Sequence, residues 1–196
     1  MNLCNAMESV RKQEAMKAIM EKMNQKWRHD ALTGVYNRAG FNDQLMSVLE
    51  GAELRNASVS LYFIDMDGLK QVNDSLGHEE GDAYIKTMAD ILVENCPSGY
   101  LVCRYGGDEF IILATGMTEI DTQKFKNKIQ TAMTCYNESH SNKWTLDASI
   151  GCWFEQSAVD VDLNRLIELA DQDMYRSKRE KRTSRENETD KEVHIG

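Results

Sequence analysis

The sequence predicts an α+β fold, a central and mostly antiparallel sheet flanked by helices. Three observations carry that reading. Helix-like and strand-like stretches follow one another with one clear hairpin in the middle. In that hairpin two strand-like runs, Tyr100–Tyr105 and Glu109–Ala114, are separated by Gly106-Gly107. At 196 residues, with 41% apolar and 28% charged content, the chain is long enough to close one full core.

Residues 7–29 are rich in Met, Lys, Glu and Gln without Gly or Pro, which predicts a helix. Met16, Met20, Met23 and Trp27 line one face of it. That face is either a short coiled-coil seam or a surface packed on its own domain. Asp30–Phe41 (DALTGVYNRAGF) is turn-rich, and a helix follows to about Leu49. Val59–Ile64 (VSLYFI) suits a buried strand that stops at Asp65-Met66-Asp67-Gly68. Apolar residues recur at helical spacing over 81–95 (Tyr84, Ile85, Met88, Ile91, Leu92). After the hairpin, Thr118–Glu138 reads as a helix, Trp144–Phe154 as a strand and Asp162–Arg179 as a last helix. The chain therefore divides into an N-terminal helix at 1–29, a domain at 30–182 and a polar tail at 183–196, which has little to bury and is expected to be loose.

Composition narrows the function. A net charge of −9 argues against a nucleic-acid surface, which needs a basic footprint, but not against one nucleotide offset by a bound metal. No run reaches the ~20 apolar residues of a membrane span, and the start lacks the pattern of a signal peptide. The five cysteines form no CxxC pair and read as reduced thiols of a cytoplasmic protein.

Two stretches carry chemistry. In Ile64-Asp65-Met66-Asp67, side chains alternate along the strand, so Asp65 and Asp67 project to one side. Two carboxylates beside apolar surface repel unless a cation or donor accepts them. In Arg104-Tyr105-Gly106-Gly107-Asp108-Glu109-Phe110, glycines permit a tight turn and two acids follow at once. If the two strands are neighbours, the acids meet, and hard oxygen ligands around an open space suit Mg²⁺ or Mn²⁺ with nucleotide phosphates. Taken singly, each stretch is equally a helix cap or an ordinary turn.

RYGGDEF at 104–110 resembles the signature hairpin of the GGDEF family of diguanylate cyclases. The likeness extends to DALTGVYNRAGF at 30–41 and to FIDMDGLKQVNDSLGHEEGD at 63–82. It also takes in Ser149-Ile150-Gly151 and Ala170-Asp171…Met174-Tyr175…Lys178, and spans roughly 30–182. The resemblance implies a fold akin to nucleotidyl cyclases and polymerase palm domains, and the condensation of two GTP into cyclic di-GMP. It implies metal ligation by Asp65, the Met66 carbonyl and Asp108. Asp108 is the family's usual acceptor of the attacking hydroxyl's proton, and Glu109 shares metal binding or takes the base role. By the same resemblance Asn73 and Asp82 read guanine, Lys70 stabilises charge near the phosphates, and Lys178 and Arg182 hold the terminal phosphates. Each domain supplies half of a reaction site, so activity is expected of a homodimer, with an upstream sensor domain or partner protein as the input. The alternative is a non-catalytic GTP- or cyclic-di-GMP-binding regulatory module, which loss of Asp108, Glu109 or Lys70 would favour. All three are present. Two positions depart from the family pattern. Gly68 replaces a bulky aromatic residue, which would loosen the wall near the nucleotide. Pro97 and Tyr100 stand in place of the Arg and Asp of the product-inhibition motif.

Overall fold

The computed structural model describes residues 11–14, 16–17 and 27–193, with backbone alone beyond residue 183. Residues 11–14, 16–17 and 27–28 are helical. Met16 and Trp27 are exposed, and Met20 and Met23 of the expected seam lie outside the described residues.

Five strands form one sheet: β1 (Tyr36–Asn37), β2 (Val59–Met66), β3 (Leu101–Arg104), β4 (Glu109–Thr115) and β5 (Ala148–Glu155). Their spatial order is β1-β3-β4-β2-β5. The β3–β4, β4–β2 and β2–β5 pairs are antiparallel, and only the two-residue β1 runs parallel to its neighbour β3. The helices are α1 (Arg38–Leu54), α2 (Leu69–Leu76), α3 (His78–Asn95), α4 (Glu119–Ser139) and α5 (Leu163–Val193). This is the expected α+β fold.

Alternation along the strands builds two cores. On one face Tyr62, Ile64 and Met66 of β2 join Phe110 and Ile112 of β4, under Tyr84, Met88 and Leu92 of α3 and Phe125 and Ile129 of α4. On the other face Val59, Leu61 and Phe63 join Ile111 and Leu113, under Phe41 and Leu45 of α1 and Leu166, Ala170 and Met174 of α5. Each fully buried side chain of this size contributes roughly 1.5–3 kcal/mol over its exposed state. Four of the cysteines are free thiols, and burial pushes Cys96 and Cys103 up to about 12.

The fold corrects several sequence expectations. β2 runs on through Asp65 to Met66, because both neighbours stay in register there (Asp65 opposite Glu109 and Ser149). The last strand begins at Ala148 instead of Trp144. Trp144 sits in the preceding loop with its ring edge-on to Tyr84, 5.0 Å away. The polar stretch after Arg182, expected to be loose, continues α5 as helix to Val193. Residues 183–193 contain no Gly or Pro, and each residue added to an existing helix gains a hydrogen bond without a new nucleation cost.

Candidate active site

The two acidic stretches do meet. The Met66 N–H donates to the Asp108 carbonyl at 3.0 Å, which fixes the end of β2 against the hairpin. Glu109 lies directly across from Asp65, and odd-numbered residues of β2 face α5, so both carboxylates project toward that helix. Burial pushes the Glu109 carboxyl above its ordinary range, and the negative charges of Asp108, Asp65 and Asp171 push it further. Neither hairpin glycine has a left-handed backbone. At Gly106 a Cβ would lie 2.4 Å from the Glu109 carboxylate, so a side chain there would displace the end of Glu109.

Cations reach this row from α5. The Lys178 ammonium donates to Asp65 and stands 3.7 Å from Asp67, so these two acids do share one side, as their spacing predicts. Lys181 bridges Asp67 at 3.4 Å, Asp147 at 2.7 Å and the Ala148 carbonyl at 2.6 Å. Ser149 donates at 2.9 Å to the same Asp67 oxygen that Lys181 approaches. A cleft of about 770 Å³ opens beside these groups. Of the expected site residues, Met66, Lys70, Asp108, Lys178 and Arg182 line it.

Asn73 and Asp82 stand apart from that lining, at the junction of α2 and α3. Asn73 packs against Gly81, where a Cβ would come within 2.0 Å of its Oδ1, and Asp82 follows as an exposed residue just past the first turn of α3. Gly68 has a reason of its own. It caps α2 with φ 84°, a conformation costly for any side chain. At the missing inhibition motif, Tyr100 closes a turn on the Pro97 carbonyl at 3.3 Å, and its ring packs on Phe125 at 5.6 Å.

Four supporting residues were not singled out in the sequence. Arg104 donates to the Gly107 carbonyl at 2.7 and 3.1 Å and to Asp30 at 3.0 Å, tying the hairpin to the turn-rich opening segment. Asp30 also accepts from the Thr33 amide and hydroxyl. Burial raises its carboxyl, but these bonds and Arg104 outweigh that and hold it below the ordinary range. The Tyr84 hydroxyl donates to the Asp67 carbonyl at 2.7 Å and accepts the Asp147 N–H at 3.0 Å. Asp30 three residues before Thr33 was the readable signal of a turn, whereas Tyr84 was legible only as core.

The donor set of Asp65, Glu109, Asp108 and the Met66 carbonyl consists of hard oxygens, which suit Mg²⁺ or Mn²⁺. Among the described residues no three His, Cys, Asp or Glu side chains are gathered as a ready metal cage, and Lys178 holds Asp65. Mg²⁺ fits such a place. It is usually held by one or two carboxylates, with waters and substrate phosphates completing its shell.

Comparison with known proteins agrees with this architecture. The family model described as "Diguanylate cyclase, GGDEF domain" matches residues 27–184. Diguanylate cyclase DosC of Escherichia coli (strain K12) is 31% identical over 152 residues, which is 76% of this chain and 33% of DosC. Cyclic di-GMP phosphodiesterase NbdA of Pseudomonas aeruginosa is 38% identical over 92 residues, 47% of this chain and 12% of NbdA. The chain thus spans only a minor part of these relatives. The coiled-coil and GGDEF structure of DgcB from Caulobacter crescentus, in complex with c-di-GMP, superposes with TM-score 0.78 at 22% identity. It covers 90% of this chain and 93% of the DgcB chain, which speaks to the fold. Fold and site thus define a GGDEF-type α+β domain with an acidic, cation-rimmed cleft. The chain belongs to the GGDEF-domain family.

Proposed function

We propose that this chain is a diguanylate cyclase domain that condenses two GTP into cyclic di-GMP and two pyrophosphates. The observation that carries the reading is the Met66–Asp108 hydrogen bond, which delivers both acidic stretches to one cleft rimmed by Lys70, Lys178 and Arg182. Each 3′-hydroxyl attacks the α-phosphate of the nucleotide in a facing domain, its proton passes to Asp108 or Glu109, and pyrophosphate leaves. Asp65, Asp108, Glu109 and the Met66 carbonyl are the groups that would hold a Mg²⁺ or Mn²⁺, which would supply charge neutralisation at the phosphates. Lys178 and Arg182 hold the terminal phosphates, and Lys178 exchanges its Asp65 contact for them when nucleotide enters. Lys70 meets charge that develops in the transition state. Asn73 and Asp82 accept and donate along the guanine edge, and a base that cannot match those bonds leaves them unpaired.

Incubation with GTP and Mg²⁺ followed by product identification tests the reading. Cyclic di-GMP and pyrophosphate are expected, and Asp65→Ala or Asp108→Ala should each lower the rate by about 10²-fold or more while the fold survives. Full activity in either variant rejects the metal-site assignment. A second reading is a regulatory module that binds GTP without turning it over, favoured by the likeness to a segment of a phosphodiesterase. GTP binding with no product would select it.

A further inference from the structure

We propose that Asp173, Ser177 and Lys181 form a polar zipper along the open edge of β5, which sets the register of α5 and thereby holds Lys178 on Asp65 and Asp67. Among the described residues β5 pairs only with β2, so its outer backbone groups meet no strand partner there. Three of them, on alternate residues, are met by side chains of one helix. The Cys152 N–H donates to Asp173 at 2.9 Å, the Ser177 hydroxyl donates to the Ile150 carbonyl at 3.3 Å, and Lys181 donates to the Ala148 carbonyl at 2.6 Å.

The spacings explain why the two elements keep step. Asp173, Ser177 and Lys181 recur every fourth residue, on one helical face, and four helical residues advance ~6 Å. Cys152, Ile150 and Ala148 recur every second residue, and two strand residues advance ~6.8 Å. The elements run in opposite directions, so rung follows rung along both. Gly151 lets the helix come this close: a Cβ there would sit 2.1 Å from the Ala170 carbonyl oxygen and 2.1 Å from the Met174 nitrogen.

The first rung is braced. Lys126 of α4 pairs with Asp173 at 3.2 Å, with side chains only 14% and 16% exposed, and also reaches Ser177 at 3.4 Å. Burial raises the Asp173 carboxyl, but bonds from Arg176, the Cys152 amide and Lys126 prevail and hold it below the ordinary range. Lys178 lies between the second and third rungs. A slip of one residue would turn it by ~100° and shift it by ~1.5 Å, away from both carboxylates. Asp173 and Ser177 lie outside the cleft lining and are positioning residues, whereas Lys181 joins the zipper to the cleft through Asp67.

The consequence for turnover rests on the cyclase reading, but the zipper itself does not. In nucleotide-free protein, Asp173→Ala should speed amide exchange at Cys152 by about tenfold and speed proton exchange of the Lys178 ammonium, both read by NMR. With GTP and Mg²⁺ the KM should rise about fivefold with kcat changed less than about twofold, because a terminal-phosphate contact is made in ground and transition states alike. Lys181→Met should act the same way and Lys181→Arg should restore the parent values. Lys181→Met also keeps the test decisive if Asp173→Ala fails to fold. Unchanged exchange at Cys152, or faster exchange there with Lys178 and KM unmoved, would overturn the proposal. A parent protein that makes no cyclic di-GMP but shows both exchange changes would sink the cyclase reading and leave the zipper standing.

Discussion

Glu109 shows how one side chain can serve chemistry at a cost to the fold. It faces Asp65 across the β2–β4 pair, and burial and neighbouring acids raise its carboxyl above the ordinary value. A raised acid holds its proton in the folded state to higher pH than in the unfolded chain. Stability therefore falls as pH climbs from the ordinary value of 4.5 through the raised one, and the ionised form carries the strain at neutral pH. Glu109→Gln should raise the metal-free Tm by about 1–2 °C at pH 7, since the site is partly solvated, and the gain should vanish near pH 4. Thermal unfolding at the two pH values checks this, and a variant no more stable at pH 7 contradicts it. At this scale the sequence was informative where residues lay in motifs: Asp65 and Asp108 stand out as acids beside a strand end and a glycine turn, whereas Lys70 and Lys178 are named only by the family resemblance. Lys181 was passed over because a Lys beside Arg182 reads as a solvated helix end, and only the folded edge of β5 shows what it grips.

Among the elements, α5 and β5 are tied by an unusually close approach. The close approach at Gly151 is backbone against backbone, which no rotamer change relieves. Gly151→Ala should lower the Tm by about 3–10 °C, since overpacking of this kind costs about 1–3 kcal/mol or more. A melt within 1 °C of the parent would mean that α5 lies farther from the strand. Most elements were legible because their periodicity was long: α3, α4 and the body of α5 repeat apolar residues at helical spacing, and β2 is a largely apolar run. The misses have physical causes. α2 is eight residues with one buried side chain, Val72, too short to show a period. β1 is two residues held by pairing with β3, and nothing local marks it. Trp144 looked like strand because aromatic residues favour sheets, but its indole is instead hydrogen-bonded to Glu80 at 3.0 Å in a loop.

For the molecule as a whole, one cleft offers one set of acids, while the proposed reaction joins two nucleotides symmetrically. Specific activity should therefore climb with protein concentration across the range where monomer and dimer coexist, measured as initial rate per chain. A constant value from one state to the other would rule out the facing-domain mechanism. The two cores impose a further condition. β2 gives its odd residues to one core and its even residues to the other, and Asp65 is the last odd residue of that strand. Inserting or deleting a single residue within Val59–Ile64 would invert this phase on one side of the change, either turning Asp65 away from Lys178 or moving Ser60 onto the face where Leu61 packs. The strand thus behaves as a reading frame. Its length parity, more than the identity of any one apolar residue, links the family's chemistry to its architecture, so tolerated length changes are expected in the loops at its ends.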